Sequence, residues 1–190
     1  MIATHTLYSP HLRLEVLASG GPRILRLFLA GSDENLLAEV PTFERVPTPW
    51  GEFQFYGGHR LWHAPESVPR TYIPDNEGLI LTETGDGVLL TRPADPASGI
   101  RKQVRIRLHP ERAAVTVEHT LTNDGLWPVE LAAWAITQLP PGGVAGLRRH
   151  AGDRRRPRHR RAGPVLLRDP APDHRPPRRA SPAGARRRRP

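Results

Sequence analysis

The chain has 190 residues, enough for one domain with a hydrophobic core and an additional tail. It contains no cysteine, which excludes disulfides, thiol catalysis and cysteine-ligated metals. It has no apolar run of the ~20 residues that a membrane-spanning helix needs, and no apolar signal segment after a basic start. We therefore expect a soluble, cytoplasmic protein without a membrane partner.

The net charge of +9 is unevenly distributed along the chain. Residues 1–143 hold 12 Lys/Arg and 16 Asp/Glu, a net charge of −4. Residues 144–190 hold 16 Arg and 3 Asp, a net charge of +13. Because all of the basic excess belongs to the second segment, the two segments have to be interpreted separately.

Residues 1–143 contain a series of short segments in which apolar and polar residues alternate, as in half-buried strands. In chain order these segments cover residues 12–18, 23–30, 36–40, 78–84, 88–92, 101–109 and 113–123. Gly-Asp-Gly at 85–87 predicts a hairpin turn between two of them. Residues 129–139 are more apolar, which predicts a buried strand, with a helix as the alternative. We therefore predict an all-β fold, an antiparallel sandwich or barrel spanning residues 1–143.

The segment from 144 to 190 has a different composition. Arg, Ala, Pro and Gly supply 35 of its 47 residues, and it has no aromatic residue and no lysine. Such a segment buries too little apolar area to offset the entropy of ordering, so we predict disorder. One interpretation is a basic arm that binds nucleic acid or another polyanion. The other is an out-of-frame translation of a GC-rich gene, which the abrupt change after "TQLPPGG" favours.

A long stretch with four prolines and four glycines, residues 48–78, separates two groups of predicted strands. Long irregular loops in compact β domains are often functional. Its centre reads "YGGHRLWHAPE", residues 56–66, and contains glycines, histidines, an arginine and a carboxylate. We therefore predict the functional site there.

Four polar side chains of this motif are candidates for chemistry. His59 and His63 can exchange protons near neutral pH, and Arg60 offers a planar fork of donors to hydroxyls or carboxylates. Glu66 supplies a carboxylate. The alternatives are that Glu66 is only a turn residue and that Arg60 only forms an ion pair. The spacing of the two histidines suits a metal only on a helix, which the adjacent glycines and Pro65 oppose, so no metal is expected. His119, on the apolar face of its strand, is expected to be a hydrogen-bonded core histidine.

Aromatic side chains accompany these polar groups. Trp50, Tyr56 and Trp62 offer flat apolar faces, which suit a sugar because its C–H face stacks while its hydroxyls pair with polar anchors. The alternative is that the tryptophans belong to the core.

The motif "YGGHRLWHAPE", followed by "VEHTLTNDGLWPVELAAWAITQLPPGG" at residues 117–143, resembles the galactose-mutarotase-like superfamily. Within it, the similarity is to bacterial proteins related to the aldose 1-epimerases. The resemblance implies an antiparallel β-supersandwich, of which residues 1–143 are expected to form only a truncated part. It also implies sugar binding without a cofactor and an arginine on the early loop that contacts the sugar. Arg60 is the matching residue. We predict substrate binding by Arg60, Trp62, Tyr56 and Trp134.

In the enzymes of this family, a histidine and a glutamate act as general acid and general base at the anomeric carbon. The matching strand, "AAWAIT" at 132–137, has no histidine, and the region expected to supply the glutamate is replaced by the arginine-rich segment. Epimerase-like activity then requires substitutes, for which His59, His63 and Glu66 are the candidates. The expected partner is a small sugar, and nucleic acid only if residues 144–190 are a genuine arm. A β domain without activity of its own is the remaining alternative.

Overall fold

The computed structural model describes residues 2–41 and 44–146 of the protein. Apart from one helix of four residues, α1 (Val68–Thr71), every regular element there is a strand. The strands are, in chain order, β1 (Thr4–Tyr8), β2 (Leu12–Leu17), β3 (Arg23–Leu29), β4 (Arg45–Thr48), β5 (Gly51–Gln54), β6 (His59–Ala64), β7 (Ile80–Thr84), β8 (Gly87–Arg92), β9 (Ile100–Leu108), β10 (Val115–Asn123) and β11 (Ala132–Thr137). This confirms the all-β prediction. The predicted disorder from residue 147 onward lies outside the described residues.

The strands form two main sheets and a hairpin, with antiparallel pairing throughout. The first sheet has the order β1-β2-β3-β6-β11, and the second has the order β10-β9-β8-β7. The hairpin consists of β4 and β5. The Gly-Asp-Gly turn joins β7 to β8, as predicted from its turn residues.

The core lies between the two main sheets. Alternate residues of β2, β3 and β6 meet alternate residues of β8 and β9, because successive side chains of a strand point to opposite faces. The buried members of this core are Leu14, Val16, Ile24, Leu37, Leu61, Val88, Leu90, Val104 and Ile106. Two sheets that share one apolar layer form a β-sandwich, in which burial of this layer is the main stabilising contribution.

Two strand predictions need correction. Residues 129–139 do contain a strand, β11, but it is mostly exposed rather than buried, because it lies at the edge of the first sheet and pairs only with β6. Just before it, Leu126 and Trp127 are 93% and 78% exposed. Residues 36–40 form no strand, and only a single bridge joins Glu39 to Gly57. Alternation of apolar and polar residues over a short segment does not show which other strands that segment pairs with.

Residues 48–78 are also more regular than predicted. They contain the end of β4, all of β5 and β6, and the helix α1. The part "HRLWHA" of the motif is therefore a central strand of the first sheet, with β3 on one side and β11 on the other. Gly57, Gly58 and Pro65 lie just outside this strand, which is why composition alone indicated a loop.

A left-handed bend precedes β6. Tyr56, Gly57 and Gly58 have φ values of 60°, 86° and 71°. The bend lets the Gly58 amide donate to the Ala38 carbonyl at 2.8 Å, and lets the Gly58 carbonyl accept from the Gln138 amide at 2.9 Å. A Cβ on Gly58 would lie 2.0 Å from the Ile24 carbonyl oxygen, so the backbone approaches here in a way that only glycine allows.

Candidate functional site

Strand β6 divides the predicted site residues between two faces of the first sheet. Leu61 belongs to the core between the sheets, so His59 and His63, two residues away on either side, face the second sheet. Arg60 and Trp62 face the opposite side, where both contact Phe53. We call residues 45–55 and 65–77, which lie on this side of the first sheet, the covering segment. One short motif therefore supplies two separate environments.

A buried ion cluster lies under this covering segment. Arg23 on β3 is the register partner of Arg60 on β6, and Asp75 comes from the connection after α1. Arg23 NH2 donates to both carboxylate oxygens of Asp75, at 2.9 and 3.1 Å, and Arg23 NH1 donates to the Phe55 carbonyl at 2.6 Å. Arg23, Arg60 and Asp75 are 1%, 3% and 8% exposed. We call these three residues the Asp75 cluster.

Arg60 is the least satisfied member of the Asp75 cluster. Its Nε, NH1 and NH2 atoms have no hydrogen-bond acceptor, and NH2 lies 3.8 Å from Asp75 Oδ2, an ion pair without a hydrogen bond. The guanidinium instead lies over aromatic rings, 4.1 Å from the Trp62 centroid and 4.7 Å from that of Phe53. Burial, together with the charge of Arg23, lowers the Arg60 pKa to about 9. The charge of Arg60 is thus only partly compensated.

Positive charge outweighs negative charge around Asp75. Burial raises its pKa, but the opposing fields of nearby cations are stronger and hold it below its ordinary value. These cations are Arg23, Arg60, Lys102 and Arg92. Burial also lowers the pKa of Lys102, which Asp75 partly opposes. Asp75 is therefore ionised at neutral pH and is shared by several cations.

A cleft of about 750 Å³ opens beside this cluster. Pro74 and Asn76, the neighbours of Asp75 in the chain, are in its lining. The complete lining is Trp50, Ile73, Pro74, Asn76, Glu77, Arg92, Asp95, Pro96 and Ala97. Its volume lies within the range of about 300–1,000 Å³ that is typical of small-molecule sites. Residues 48–78 supply five of the nine described lining residues, and the end of β8 with the connection after it supplies the others, which sequence analysis did not single out.

Local hydrogen bonds hold two of the polar groups that line the cleft. The Arg92 guanidinium donates to the Glu77 carbonyl, which ties β8 to the end of the covering segment. Asn76 Nδ2 donates to the Glu52 carbonyl of β5 at 3.0 Å. The exposed ring of Trp50, which is 54% accessible, comes from the turn between β4 and β5. Three elements that are distant in sequence thus meet at the cleft.

None of the predicted substrate-binding residues lines this cleft, and Tyr56 lines a separate cleft of about 460 Å³. Trp134 of β11 is directly opposite Trp62 of β6, and their rings are 5.3 Å apart. Trp62 is 5% exposed and its Nε1 has no acceptor. Tyr56 is 9% exposed and carries the Arg23 guanidinium 4.7 Å from its ring centroid. Together with Arg60, these aromatics form the layer between the first sheet and the covering segment.

The three predicted catalytic residues do not hydrogen-bond to one another. His63 is 1% exposed, and neither ring nitrogen has a partner; burial, with the charges of Lys102 and Arg70, lowers its pKa to about 4. Glu66 is exposed and accepts a hydrogen bond from the Tyr72 hydroxyl. His59 belongs to a different cluster, formed with residues of β10 and β11.

His59 links the two sheets through a second histidine. Its Nε2 lies 2.8 Å from Nε2 of His119 on β10, and its Nδ1 lies 2.7 Å from the hydroxyl of Thr137 on β11. Burial, with the charge of His119, lowers the His59 pKa to about 4, and burial also lowers the His119 pKa. Both rings are therefore neutral at pH 7, and one Nε2 donates while the other accepts. His119 was expected to be hydrogen-bonded, and it is, but the sequence did not identify His59 as its partner.

In the described ranges, no group of three or more His, Cys, Asp or Glu side chains is arranged to hold a metal ion. No helix within residues 2–41 and 44–146 is long and apolar enough to cross a membrane. Comparison with protein-family models gives no match, and neither the curated proteins nor the solved structures contain a match to this chain.

Proposed function

We propose that this chain binds a small carbohydrate in the cleft bounded by Trp50 and Arg92. The observation that carries the proposal is the lining of the cleft, in which one exposed indole ring stands with amide, guanidinium and carboxylate side chains. A sugar needs this combination, because its C–H face stacks on an aromatic ring while its hydroxyls pair with donors and acceptors. Asn76, Arg92 and Asp95 provide both kinds of partner.

The galactose-mutarotase-like supersandwich is the finer architecture that we propose with this function. Its support is the sequence resemblance, together with a sandwich of two antiparallel sheets. In this proposal the buried arginine and aromatic residues of β6 act from behind the cleft. They hold the covering segment, which supplies Trp50 and Asn76, against the first sheet.

We expect replacement of Trp50 by alanine to weaken sugar binding at least about tenfold, because loss of one stacked ring removes roughly 1.5 kcal/mol or more. Isothermal titration calorimetry with glucose and galactose measures the affinity. Trp127→Ala is the matched control, since this indole is 78% exposed and does not line the cleft. Equal affinity of Trp50→Ala and the unmodified protein would contradict the proposal.

The histidine pair favours a second candidate function, proton transfer at the anomeric carbon of an aldose. Ring opening of an aldose needs a general acid and a general base. His59 and His119 are neutral at pH 7 and share one proton between their Nε2 atoms, so one is a donor while the other is an acceptor. The Thr137 hydroxyl orients the His59 ring. The pair lies beside the exposed edge strand β11.

We expect the protein to accelerate mutarotation of freshly dissolved glucose, and His119→Asn to reduce the acceleration about 100-fold. Because protonation turns the accepting nitrogen into a second donor, the acceleration should fall as the pH drops through about 4 and stay level up to pH 7. Polarimetry with subtraction of the buffer rate measures it, and His109→Asn is the control. An unchanged rate in His119→Asn would refute this candidate.

Polyanion binding through residues 144–190 depends on a segment that lies outside the described residues from 147 onward. It stays a prediction, as does the out-of-frame origin of that segment.

A further inference from the structure

Lys102 has an unusual position in both the sequence and the fold. Of the 28 Lys and Arg residues of the chain, it is the only lysine. It precedes the fully buried Val104 of β9 by two residues, so its side chain also points between the two sheets. In the second sheet its register partners are Arg92 on β8 and Leu121 on β10. The residue remains partly accessible, so a small molecule can reach it from solvent.

The Lys102 amine has no partner among the residues that the structure describes. It takes part in no hydrogen bond or ion pair there. Burial lowers its pKa; the field of Asp75 opposes this effect, and the field of Arg60 adds to it. More of the amine is therefore uncharged at neutral pH than in an exposed lysine, and the uncharged amine is the form that acts as a nucleophile.

Two side chains that interact electrostatically with Lys102 have buried donors without an acceptor. Neither ring nitrogen of His63 has a partner, and this residue is 1% exposed. All three guanidinium nitrogens of Arg60 also lack an acceptor. The charge of Lys102 contributes, after burial, to the low pKa of His63, and Arg60 contributes to that of Lys102. Because buried donors without acceptors are destabilising, this region lacks an acceptor group.

The charges around Lys102 are unbalanced in the same direction. The charged groups that act most strongly on Asp75 and Lys102, taken together with these two residues, are four cations and two carboxylates. They are Arg23, Arg60, Arg92, Lys102, Asp75 and Asp95. Conversion of Lys102 from a cation into an anion would leave three charges of each sign. The same change would supply the missing acceptor if the new anion carried oxygen atoms.

We propose that Lys102 is a modification site, at which its side-chain amine takes up carbon dioxide and becomes a carbamate. The nitrogen lone pair forms a bond to the carbon of CO2, one C–O π bond becomes an oxygen lone pair, and a proton leaves the nitrogen for solvent. One amine and one CO2 thus give one carbamate anion and one proton, without an oxidant or reductant. CO2 has only three atoms and needs no large pocket. The two carbamate oxygens supply the acceptors that His63 and Arg60 lack.

This modification does not depend on carbohydrate binding. Lys102 does not line the cleft bounded by Trp50 and Arg92, and CO2 is the reactant whether or not a sugar binds there. The carbamate would act within the fold, where it balances the surplus of buried cations.

Carbon-13 NMR of the full chain in carbon-13-labelled bicarbonate, at mildly alkaline pH, tests this site. We expect a carbamate signal that Lys102→Arg abolishes, because a guanidinium forms no carbamate. A signal from the amino terminus, the other primary amine, stays in both proteins. Arg60→Met should raise the bicarbonate concentration for half-maximal signal at least about fivefold, because a cation that stabilises the anion is lost. Arg105→Met, a surface arginine of β9 that pairs with Asp86, is the control.

A second measurement needs no variant and decides the test if Lys102→Arg fails to fold. Ethylation of the carbamate with a trialkyloxonium salt makes it stable, and peptide mass spectrometry then locates it. An ethyl carbamate on Lys102 would support the proposal. The proposal is refuted if the label is found only at the amino terminus, or if the NMR signals of Lys102→Arg and the unmodified protein are the same. An unchanged bicarbonate dependence in Arg60→Met would refute the part assigned to Arg60.

Discussion

Replacement of Asp75 by alanine is expected to lower the free energy of unfolding by about 3–5 kcal/mol, the range for removing one partner of a buried ion pair. The carboxylate accepts two hydrogen bonds from Arg23 and faces Arg60 at 3.8 Å. Without it, two nearly inaccessible guanidinium groups face each other across neighbouring strands. Urea denaturation followed by tryptophan fluorescence measures the loss.

Arg60→Met is the informative control for this prediction. Arg60 makes no hydrogen bond, and its removal leaves the pair of Arg23 and Asp75 intact. An apolar side chain of similar length then replaces an undercompensated charge, so the unfolding free energy should change by less than about 1 kcal/mol or rise. A large loss in Arg60→Met, together with a small loss in Asp75→Ala, would contradict the charge balance described above.

Replacement of Gly58 by alanine is expected to cost about 3–5 kcal/mol of unfolding free energy, because two penalties add. Its φ of 71° lies in the left-handed region, which disfavours side chains with a Cβ. The new methyl group would also lie 2.0 Å from the Ile24 carbonyl oxygen. That oxygen belongs to β3, so relief of the clash would disturb the pairing of β3 with β6.

Two other glycines separate these penalties. Gly31 has a φ of 78° but no atom within 4 Å of its Cβ position, so Gly31→Ala should cost only about 1–2 kcal/mol. Gly85 has neither a left-handed φ nor a neighbour within 4 Å, so Gly85→Ala should stay within about 0.5 kcal/mol. Thermal or urea unfolding of the three variants ranks them. A Gly58→Ala protein as stable as Gly31→Ala would show that the backbone approach is relieved without cost.

The strands with clear alternation could be predicted from the sequence because burial of one face is a local property. Residues 101–109 and 113–123 correspond closely to β9 and β10, which pair along their whole lengths. The segment 129–139 was predicted as buried because its residues are apolar. Its position at the edge of the first sheet depends on which strands pair, and that is decided by contacts between distant segments.

The candidate site was predictable only in part. The unusual density of Gly, His, Arg and Trp in residues 56–66 predicted a site there, but none of these residues lines the cleft. The covering layer behind the cleft is built on Arg60 and Trp62. The partners of Arg60 and His59 were not predictable, because Asp75, Arg23 and His119 are ordinary residues of other segments. Only the folded chain brings them within hydrogen-bonding distance or ion-pair distance.

By itself, the sequence determined the β class of this protein and the charge difference between its two segments. These properties follow from composition and from a two-residue period, both of which are local. Tertiary structure alone decided that His59 and Arg60, neighbours in the chain, lie on opposite faces of one sheet and contact different partners. Successive side chains of a strand point in opposite directions, so each joins whatever partners the two sheets and the covering segment place there.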